Sequence, residues 1–229
     1  MSAIGPFPHP AEGVKPAPPP TLTADQQKKY EELLSVVKAW ETLPKTSARG
    51  AETAPLEDSE RLWLTRECLL RYLRATKWTV PYATKRLRDT LVWRREFGTE
   101  GFTADFISEE NATGKQVLLG FDNEGRPCLY LLPNKQNTPN SPKQVQHLVF
   151  SLEQTLAIAP PGQESLALLI DFRNSSSGTQ PSMATSKQVL NILQNHYPER
   201  LGRALITHCT FSFYPSDLLY IIVGDSIRC

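Results

Sequence analysis

The sequence contains few cysteines and no pattern that pairs them. The four, Cys68, Cys128, Cys209 and Cys229, are widely scattered and show no Cys-x-x-Cys spacing. No basic and apolar signal segment opens the chain, and the apolar stretch Leu218 to Val223 is far shorter than the roughly 20 residues that cross a bilayer. These absences argue against a disulfide-stabilised secreted protein and predict a cytoplasmic protein whose association with internal membranes is peripheral.

The sequence also lacks the signatures of catalysis and of metal binding. It has no Gly-rich phosphate loop, no Gly-x-Ser-x-Gly turn and no paired-carboxylate arrangement. The four histidines, His9, His147, His196 and His208, show no ligand spacing. We therefore predict no catalytic residues, no enzyme activity, no metal site and no cofactor.

Charge is nearly balanced over the whole chain but is uneven along it. The formal net charge is +1, yet residues 61–95 carry ten basic side chains against the acidic Glu67 and Asp89. The basic helices lack interleaved exposed aromatic side chains, since Trp78, Trp93 and Phe97 fall where a helical face or its end would be packed. We predict no nucleic-acid partner.

The first hundred residues indicate a tail followed by helices. Seven prolines among the first twenty residues predict a disordered tail over residues 1–22. A capping box at Thr23 and apolar residues at helical spacing predict a helix from about Ala24 to Leu43, followed by a linker from Lys45 to Asp58. Two more helices are predicted near residues 65–76 and 81–97, which makes residues 23–100 a helical region.

Beyond residue 100 the apolar period changes to that of strands. Two short apolar runs, 116–121 and 127–132, flank a turn closed by Gly125 and predict a hairpin. A capped helix begins at Ser141, a buried strand covers residues 166–170, and a further helix and strand follow. The order β-β-α-β-α predicts an α/β fold with a mixed sheet in a domain over residues 101–206.

Three residues are candidates for lining a cavity, and each has a second interpretation. Asp171 ends the buried strand, where open α/β sheets place their ligands, and Ser176 lies in the loop after it. Both residues equally suit an ordinary solvent-exposed loop. Tyr130 lies in the second hairpin strand and suits the core or an interface.

Two charged residues also carry two interpretations. Lys77 follows a helix, so its ammonium either interacts with the helix dipole, at roughly 0.3 to 1 kcal/mol, or contacts a phosphate. Glu199 follows Pro198, which must break the preceding helix. Glu199 either favours the amino end of a short helical turn, with Arg200 solvated, or binds a ligand.

Several motifs, in order along the chain, resemble those of the CRAL-TRIO lipid-transfer proteins. They are residues 69–78 and 93–98, Gly125-Arg126-Pro127, Leu169-Ile170-Asp171-Phe172 and the run His196-Tyr197-Pro198-Glu199-Arg200-Leu201-Gly202. The sequences of residues 114–117, 136–138 and 143–150 most resemble those of the fungal phosphatidylinositol transfer proteins of the pleiotropic-drug-resistance branch. The resemblance covers residues 62–206.

The resemblance implies a hydrophobic cavity over a mixed sheet that carries one phospholipid between membranes. The expected ligands are phosphatidylinositol and a second lipid, with transient contact to a membrane surface. By similarity, Lys77 and Glu199 bind the inositol headgroup. A phosphate in a partly buried site needs a cation, and inositol hydroxyls need an acceptor such as a carboxylate, so the chemistry agrees.

Residues 207–229 do not match the motifs that continue the family pattern. We therefore expect a domain that is incomplete at the C-terminus, without its gate helix and later strands, and a non-family segment over 207–229. On this expectation, apolar side chains of the 166–170 strand and of the 189–193 helix lack part of their cover. The alternative function is that of a non-transferring interaction or regulatory fragment.

Overall fold

The computed structural model describes residues 9–179, 181–208 and 227–228, and these form two compact units. The helical unit comprises residues 20–101 together with 195–198. The sheet unit comprises the chain up to residue 19, residues 102–194 and the chain from residue 199 onward. The division near residue 101 lies close to the boundary between the two regions read from the sequence.

The helical unit contains four α-helices and a small hairpin within the residues described. They are α1 (Ala24–Lys38), β1 (Thr42–Pro44), β2 (Thr53–Pro55), α2 (Asp58–Trp63), α3 (Arg66–Ala75) and α4 (Val80–Phe97). The predicted capping box starts α1: Gln26 N donates to Thr23 Oγ1 at 3.2 Å, and Thr23 N donates to Gln26 Oε1 at 3.0 Å. Fully buried Leu33, Leu69 and Leu73 join α1 to α3.

The predicted helix over residues 24–43 is too long, and the predicted linker over residues 45–58 is wrong. α1 ends at Lys38, and Leu43 lies in β1, which pairs antiparallel with β2. Leu43 is 2 % exposed in a core cluster with Leu56 and Leu91. Leu43 therefore adopts a strand conformation because it is buried in the tertiary structure. The helical spacing that it shares with Trp40 does not determine its conformation.

Arg95 on α4 fastens this hairpin to the helices. Its guanidinium donates to the main-chain oxygens of Leu43 at 2.7 Å and Pro55 at 2.8 Å. It also forms a two-pronged ion pair with the buried Glu60, at 2.5 and 2.7 Å. Burial alone would raise the pKa of Glu60, but hydrogen bonds from Arg95 and from the main chain of Glu57 bring the pKa below its ordinary value.

The sheet unit confirms the predicted mixed α/β fold. Its elements are α5 (Ser108–Asn111), β3 (Gln116–Phe121), β4 (Pro127–Leu131), α6 (Pro142–Ala157), β5 (Leu166–Asp171), α7 (Met183–His196), β6 (Leu201–Thr207) and β7 (Ile227–Arg228). In the described residues the strand order is β3-β4-β5-β6-β7. The predicted hairpin pairs antiparallel, and the remaining neighbours run parallel.

Most of the buried strand is covered more completely than we expected. Leu166, Ala167, Leu168 and Ile170 are 2 to 9 % exposed, and Leu169 alone in this run is half-buried. In α7, Ile192 is 5 % exposed. The predicted loss of cover in the 166–170 strand is therefore wrong except at Leu169. The stretch 218–223, considered above as a membrane segment, lies outside the described residues.

Gly202 occupies a position where no larger side chain fits. The Arg126 side chain crosses it: a Cβ atom on residue 202 would lie 2.8 Å from Arg126 Cδ and closer still to Arg126 Nε and Ser165 Oγ. Arg126 cannot easily move, because it pairs with Asp122 at 3.1 Å and with Glu124 at 2.5 Å. Two motifs of the sequence, Gly-Arg-Pro and Arg-Leu-Gly, thus meet at one packing contact.

We expect Gly202→Ala to lower the free energy of unfolding by about 1–3 kcal/mol, because one added methyl must displace a hydrogen-bonded guanidinium. Urea unfolding would measure the change. Gly101→Ala is the matched control, since nothing lies within 4 Å of a Cβ added there. Equal stabilities of the two variants would show that Arg126 moves aside freely.

Part of the predicted disordered tail packs on the sheet unit. Side-chain atoms of Val14 and Pro16 lie 3.7 and 3.8 Å from the position of a Cβ on Gly125. Both residues are half-buried, so this portion of the segment that we predicted as a disordered tail contacts the sheet unit. Their contact partners are distant in sequence, which is why the composition of the tail did not reveal them.

Among the described residues, no helix combines the length and the apolarity that a membrane span requires.

Candidate functional site

Lys77 lies where the chain turns away from the end of α3. Lys77 N donates to Arg74 O at 3.0 Å and Trp78 N donates to Leu73 O at 2.7 Å, which is the hydrogen-bond pattern of a Schellman motif. The preceding residue, Thr76, is buried and its hydroxyl donates to Tyr72 O at 2.8 Å. The lysine is therefore held by its main chain, while its side chain is exposed.

Lys77 and Trp78 both adopt left-handed backbone conformations, with φ of 51° and 59°. Glycine usually takes the first of these positions, because a left-handed conformation costs an ordinary residue about 1–2 kcal/mol. A lysine at this position carries that cost, although the Schellman motif accounts for the left-handed conformation itself. Such outliers cluster at functional sites, and this observation favours the ligand interpretation of Lys77.

Glu199 also lies in a left-handed turn, with φ of 57°, and its side chain is exposed. The interpretation that placed it at the amino end of a short helical turn is therefore wrong. Arg200 is not simply solvated either: its guanidinium donates to Glu164 O at 2.7 Å, and its carbonyl accepts from Leu166 N at 2.8 Å. These bonds anchor the turn directly after Glu199 to the start of β5.

The turn before Glu199 is fixed inside the helical unit by His196. Its imidazole stacks on Trp93 at 4.2 Å between ring centres, and Nδ1 lies 3.1 Å from Thr90 Oγ1. Burial, and then the charge of Arg86, lower the pKa of His196 to about 4. The imidazole is therefore neutral at physiological pH and serves as a packing group.

One face of the sheet carries a row of apolar side chains that remain half-buried. Tyr130 on β4 is in register with Val117 on β3 and Leu169 on β5, and Leu169 is in register with Leu205 on β6. All four are half-buried, whereas the next row, which points to the opposite face, includes the buried Leu129, Leu168 and Ala204. Burial also raises the pKa of the Tyr130 hydroxyl.

Asp171 ends β5 on the same face as Leu169 and Tyr130, because strand side chains alternate. Its Oδ1 lies 2.8 Å from His208 Nδ1 and accepts from Arg173 N at 2.9 Å. The hydrogen bond from Arg173 N, with smaller effects of His208 and Arg173, lowers the pKa of Asp171. A charged cluster thus lies beside the apolar row, at the carboxyl end of β5.

Ser176 lies in the exposed loop after this cluster. Its main-chain N donates to Thr179 Oγ1 at 3.0 Å, and its carbonyl accepts from the same hydroxyl at 3.0 Å. The structure therefore brings Tyr130 and Asp171 to one sheet face and leaves Ser176 in a hydrogen-bonded loop. Lys77 belongs to the helical unit and Glu199 to the sheet unit.

Arg173 and His208 were not identified from the sequence as the partners of Asp171. Arg173 Nη2 lies 3.2 Å from His208 Nε2, so the three side chains form one hydrogen-bonded cluster. His208 is 37 residues from Asp171 and reaches it only because β5 and β6 are parallel neighbours. Their proximity could have been inferred only by combining the parallel register with the strand ends.

A buried polar network explains two other motifs of the sequence. Lys115, 7 % exposed, forms an ion pair with the buried Glu110 and donates to Gln136 Oε1 at 2.6 Å. Thr138 Oγ1 donates to Glu110 Oε2 at 3.0 Å. Lys115 thereby ties the 136–138 loop to the start of β3, which gives both motifs a structural role.

His147 on α6 is fully buried beside this network. Its Nε2 lies 3.4 Å from Asn111 Oδ1. Burial, and then the nearby charge of Lys115, lower its pKa to about 4. In the described residues, no group of three or more His, Cys, Asp or Glu side chains could hold a metal ion.

Two family models match the chain. The CRAL/TRIO, N-terminal domain matches residues 29–89, and the CRAL/TRIO domain matches residues 111–216. The second match runs past residue 206, so the predicted start of a non-family segment at residue 207 is wrong.

Two relatives are similar in sequence. A CRAL-TRIO domain-containing protein of Schizosaccharomyces pombe is 54% identical over 210 residues, covering 91% of this chain and 21% of that protein. The phosphatidylinositol transfer protein PDR17 of Saccharomyces cerevisiae is 41% identical over 203 residues, covering 81% of this chain and 58% of that protein. The chain thus spans about a fifth of the length of the first relative and somewhat over half of the length of the second.

The crystal structure of Sfh5 has a similar fold. It superposes with a TM-score of 0.64, covering 90% of this chain and 79% of that one, at 16% sequence identity. At that identity the likeness concerns the architecture alone, and it agrees with the mixed sheet and the helical region described above.

Proposed function

This chain belongs to the CRAL/TRIO family, and from that premise we propose that it binds one phospholipid and carries it between membranes, with phosphatidylinositol as its preferred lipid. The observation that carries the proposal is the half-buried apolar row across the sheet, with a charged cluster beside it at the carboxyl end of β5. The identity to a relative named as a phosphatidylinositol transfer protein supports the choice of lipid.

The acyl chains are proposed to lie along the apolar row. Four neighbouring strands contribute one side chain each, so the row extends about 14 Å at a strand spacing of about 4.8 Å. Each methylene group removed from water there contributes about 0.8 kcal/mol, so even a partly covered chain provides a large driving force. In this proposal Tyr130 lines the cavity, with its ring against the lipid.

The headgroup is proposed to bind Lys77 and Glu199. The ammonium of Lys77 would bond the phosphate, and the carboxylate of Glu199 would accept from inositol hydroxyls. The left-handed backbone of both residues supports a role in ligand binding, because strained backbone conformations cluster at functional sites. Asp171 and Ser176 are proposed as polar lining beyond the apolar row.

The cycle requires transient contact with a membrane surface, and we propose that the protein is cytoplasmic and associates peripherally with internal membranes. A second lipid is proposed to exchange for phosphatidylinositol on the same apolar row, since a row of this kind makes no demand on the headgroup. Binding and release involve no covalent step, so no cofactor other than the bound phospholipid enters the proposal.

Lipid retention tests the proposal directly. The whole chain, purified from yeast without detergent, should carry phospholipid at close to one molecule per protein in native mass spectrometry, with phosphatidylinositol enriched over its share of the host lipids. Vesicle assays should then show transfer of phosphatidylinositol to acceptor vesicles.

A folded protein that retains no lipid would overturn the proposal. It would favour the alternative function, a non-transferring interaction or regulatory fragment. Circular dichroism and a thermal melt on the same preparation establish that the chain is folded when the lipid is measured.

A further inference from the structure

Residues 15–20 have a conformation that their residue types largely determine. Four of the six are prolines, whose φ is fixed near −65°, and Lys15 and Ala17 each precede a proline, which excludes the helical region. The structure agrees, since residues 14–23 form neither helix, strand nor turn. The residue types and the absence of helix, strand and turn therefore favour a polyproline II conformation, which has no internal hydrogen bonds to satisfy.

The two ends of this segment are anchored, and its middle is exposed. On one side, Pro16 is half-buried and its Cβ lies 3.9 Å from the position of a Cβ on Gly162. On the other side, Leu22 packs against the core of the helical unit. Ala17, Pro18, Pro19 and Pro20 are all exposed, over a length of about 12 Å.

We propose that this exposed run is a docking site for a protein domain whose aromatic groove binds consecutive prolines. The prolines present a rigid apolar ridge that loses little conformational entropy on binding, which is the basis of polyproline II recognition. The contact of Pro16 with the sheet unit reduces that entropy loss further. The exposed ammonium of Lys15 adjoins the ridge and suits a groove with an acidic rim.

The position of Pro16 distinguishes between two classes of proline-binding domain. The only Pro-x-x-Pro spacing in this run joins Pro16 to Pro19. Pro16 is held against the sheet unit, so a domain that needs both prolines of that spacing would have to detach it. Pro18, Pro19 and Pro20 are available together, which favours a groove of the WW type over one of the SH3 type.

Titration of an isotope-labelled WW domain that recognises consecutive prolines, with the whole chain as ligand, tests the proposal. We expect saturable shifts of the aromatic groove resonances. The variant Pro18→Ala/Pro19→Ala/Pro20→Ala should weaken binding at least about tenfold. The variant Pro161→Ala, which changes an exposed proline elsewhere, should bind like the wild type.

Unchanged melting temperature and unchanged bound lipid in the triple variant would show that the loss concerns docking and not the fold or the lipid site. Equal binding of the triple variant and the wild type would overturn the proposal. So would the absence of WW binding, or tighter binding to an SH3 domain than to the WW domain.

Discussion

Arg95→Ala is expected to lower the free energy of unfolding by about 3–5 kcal/mol, a large part of the margin of an ordinary domain. The variant leaves the carboxylate of Glu60 buried without its partner. It also removes the donor to the carbonyls of Leu43 and Pro55, which hold the hairpin. Urea unfolding followed by tryptophan fluorescence would measure the loss.

The ion pair of Lys85 and Asp89 provides the matched control. It is as short as the Arg95–Glu60 contact, at 2.5 Å, but both side chains are more than half exposed. Lys85→Ala should therefore change stability by no more than about 1 kcal/mol. The double variant Arg95→Ala/Glu60→Ala should recover part of the loss, because no charge is then left buried. Similar losses for Arg95→Ala and Lys85→Ala would show that burial adds nothing to the pair.

Glu199→Ala is expected to reduce phosphatidylinositol binding about ten- to hundredfold, the effect of losing a hydrogen bond to a charged group. Its side chain is exposed and alanine tolerates the left-handed turn no worse, so the melting temperature should stay unchanged.

Lys77→Gly should cause a comparable loss of binding. It should also raise the melting temperature, because glycine relieves the strain at φ of 51°. Lipid binding from vesicles and thermal melts measure the two effects.

Glu109→Ala, which removes an exposed carboxylate of α5, is the control for charge. It should bind phosphatidylinositol like the wild type. If Lys77→Gly is more stable and binds the lipid normally, Lys77 has no role in the headgroup site. If Glu199→Ala binds normally, the same conclusion holds for Glu199.

The elements with strong local signals could be predicted from the sequence. The capping box at Thr23, the hairpin around Gly125 and the unbroken apolar run of β5 each depend on neighbours in the chain, and the structure contains all three. The hairpin of β1 and β2 could not be predicted, because Arg95, which is 52 residues from Leu43 and 41 residues from Ala54, supplies the donors that hold it.

The candidate site divides in the same way. The positions of Tyr130 and Asp171 on one face follow from strand alternation and parallel register, both of which the sequence indicates. The left-handed backbone of Lys77 and Glu199 carries no sequence signal, since neither residue is a glycine or an asparagine. The contacts of His208 and Arg173 with Asp171 depend on two chain segments that only the folded sheet brings together.

The buried imidazole of His147 and the half-buried imidazole of His196 make the folded protein less stable in mild acid. Each has a pKa near 4 in the fold, against an ordinary value of 6.5, so the unfolded chain takes up a proton at each that the folded chain does not. Stability is therefore unaffected by these groups above pH 6.5 and falls as the pH drops from 6.5 toward 4. One of these residues belongs to each unit, so acidification loosens the sheet unit and the helical unit together. In the cell, such a protein would be less stable in an acidic organelle than in a neutral compartment.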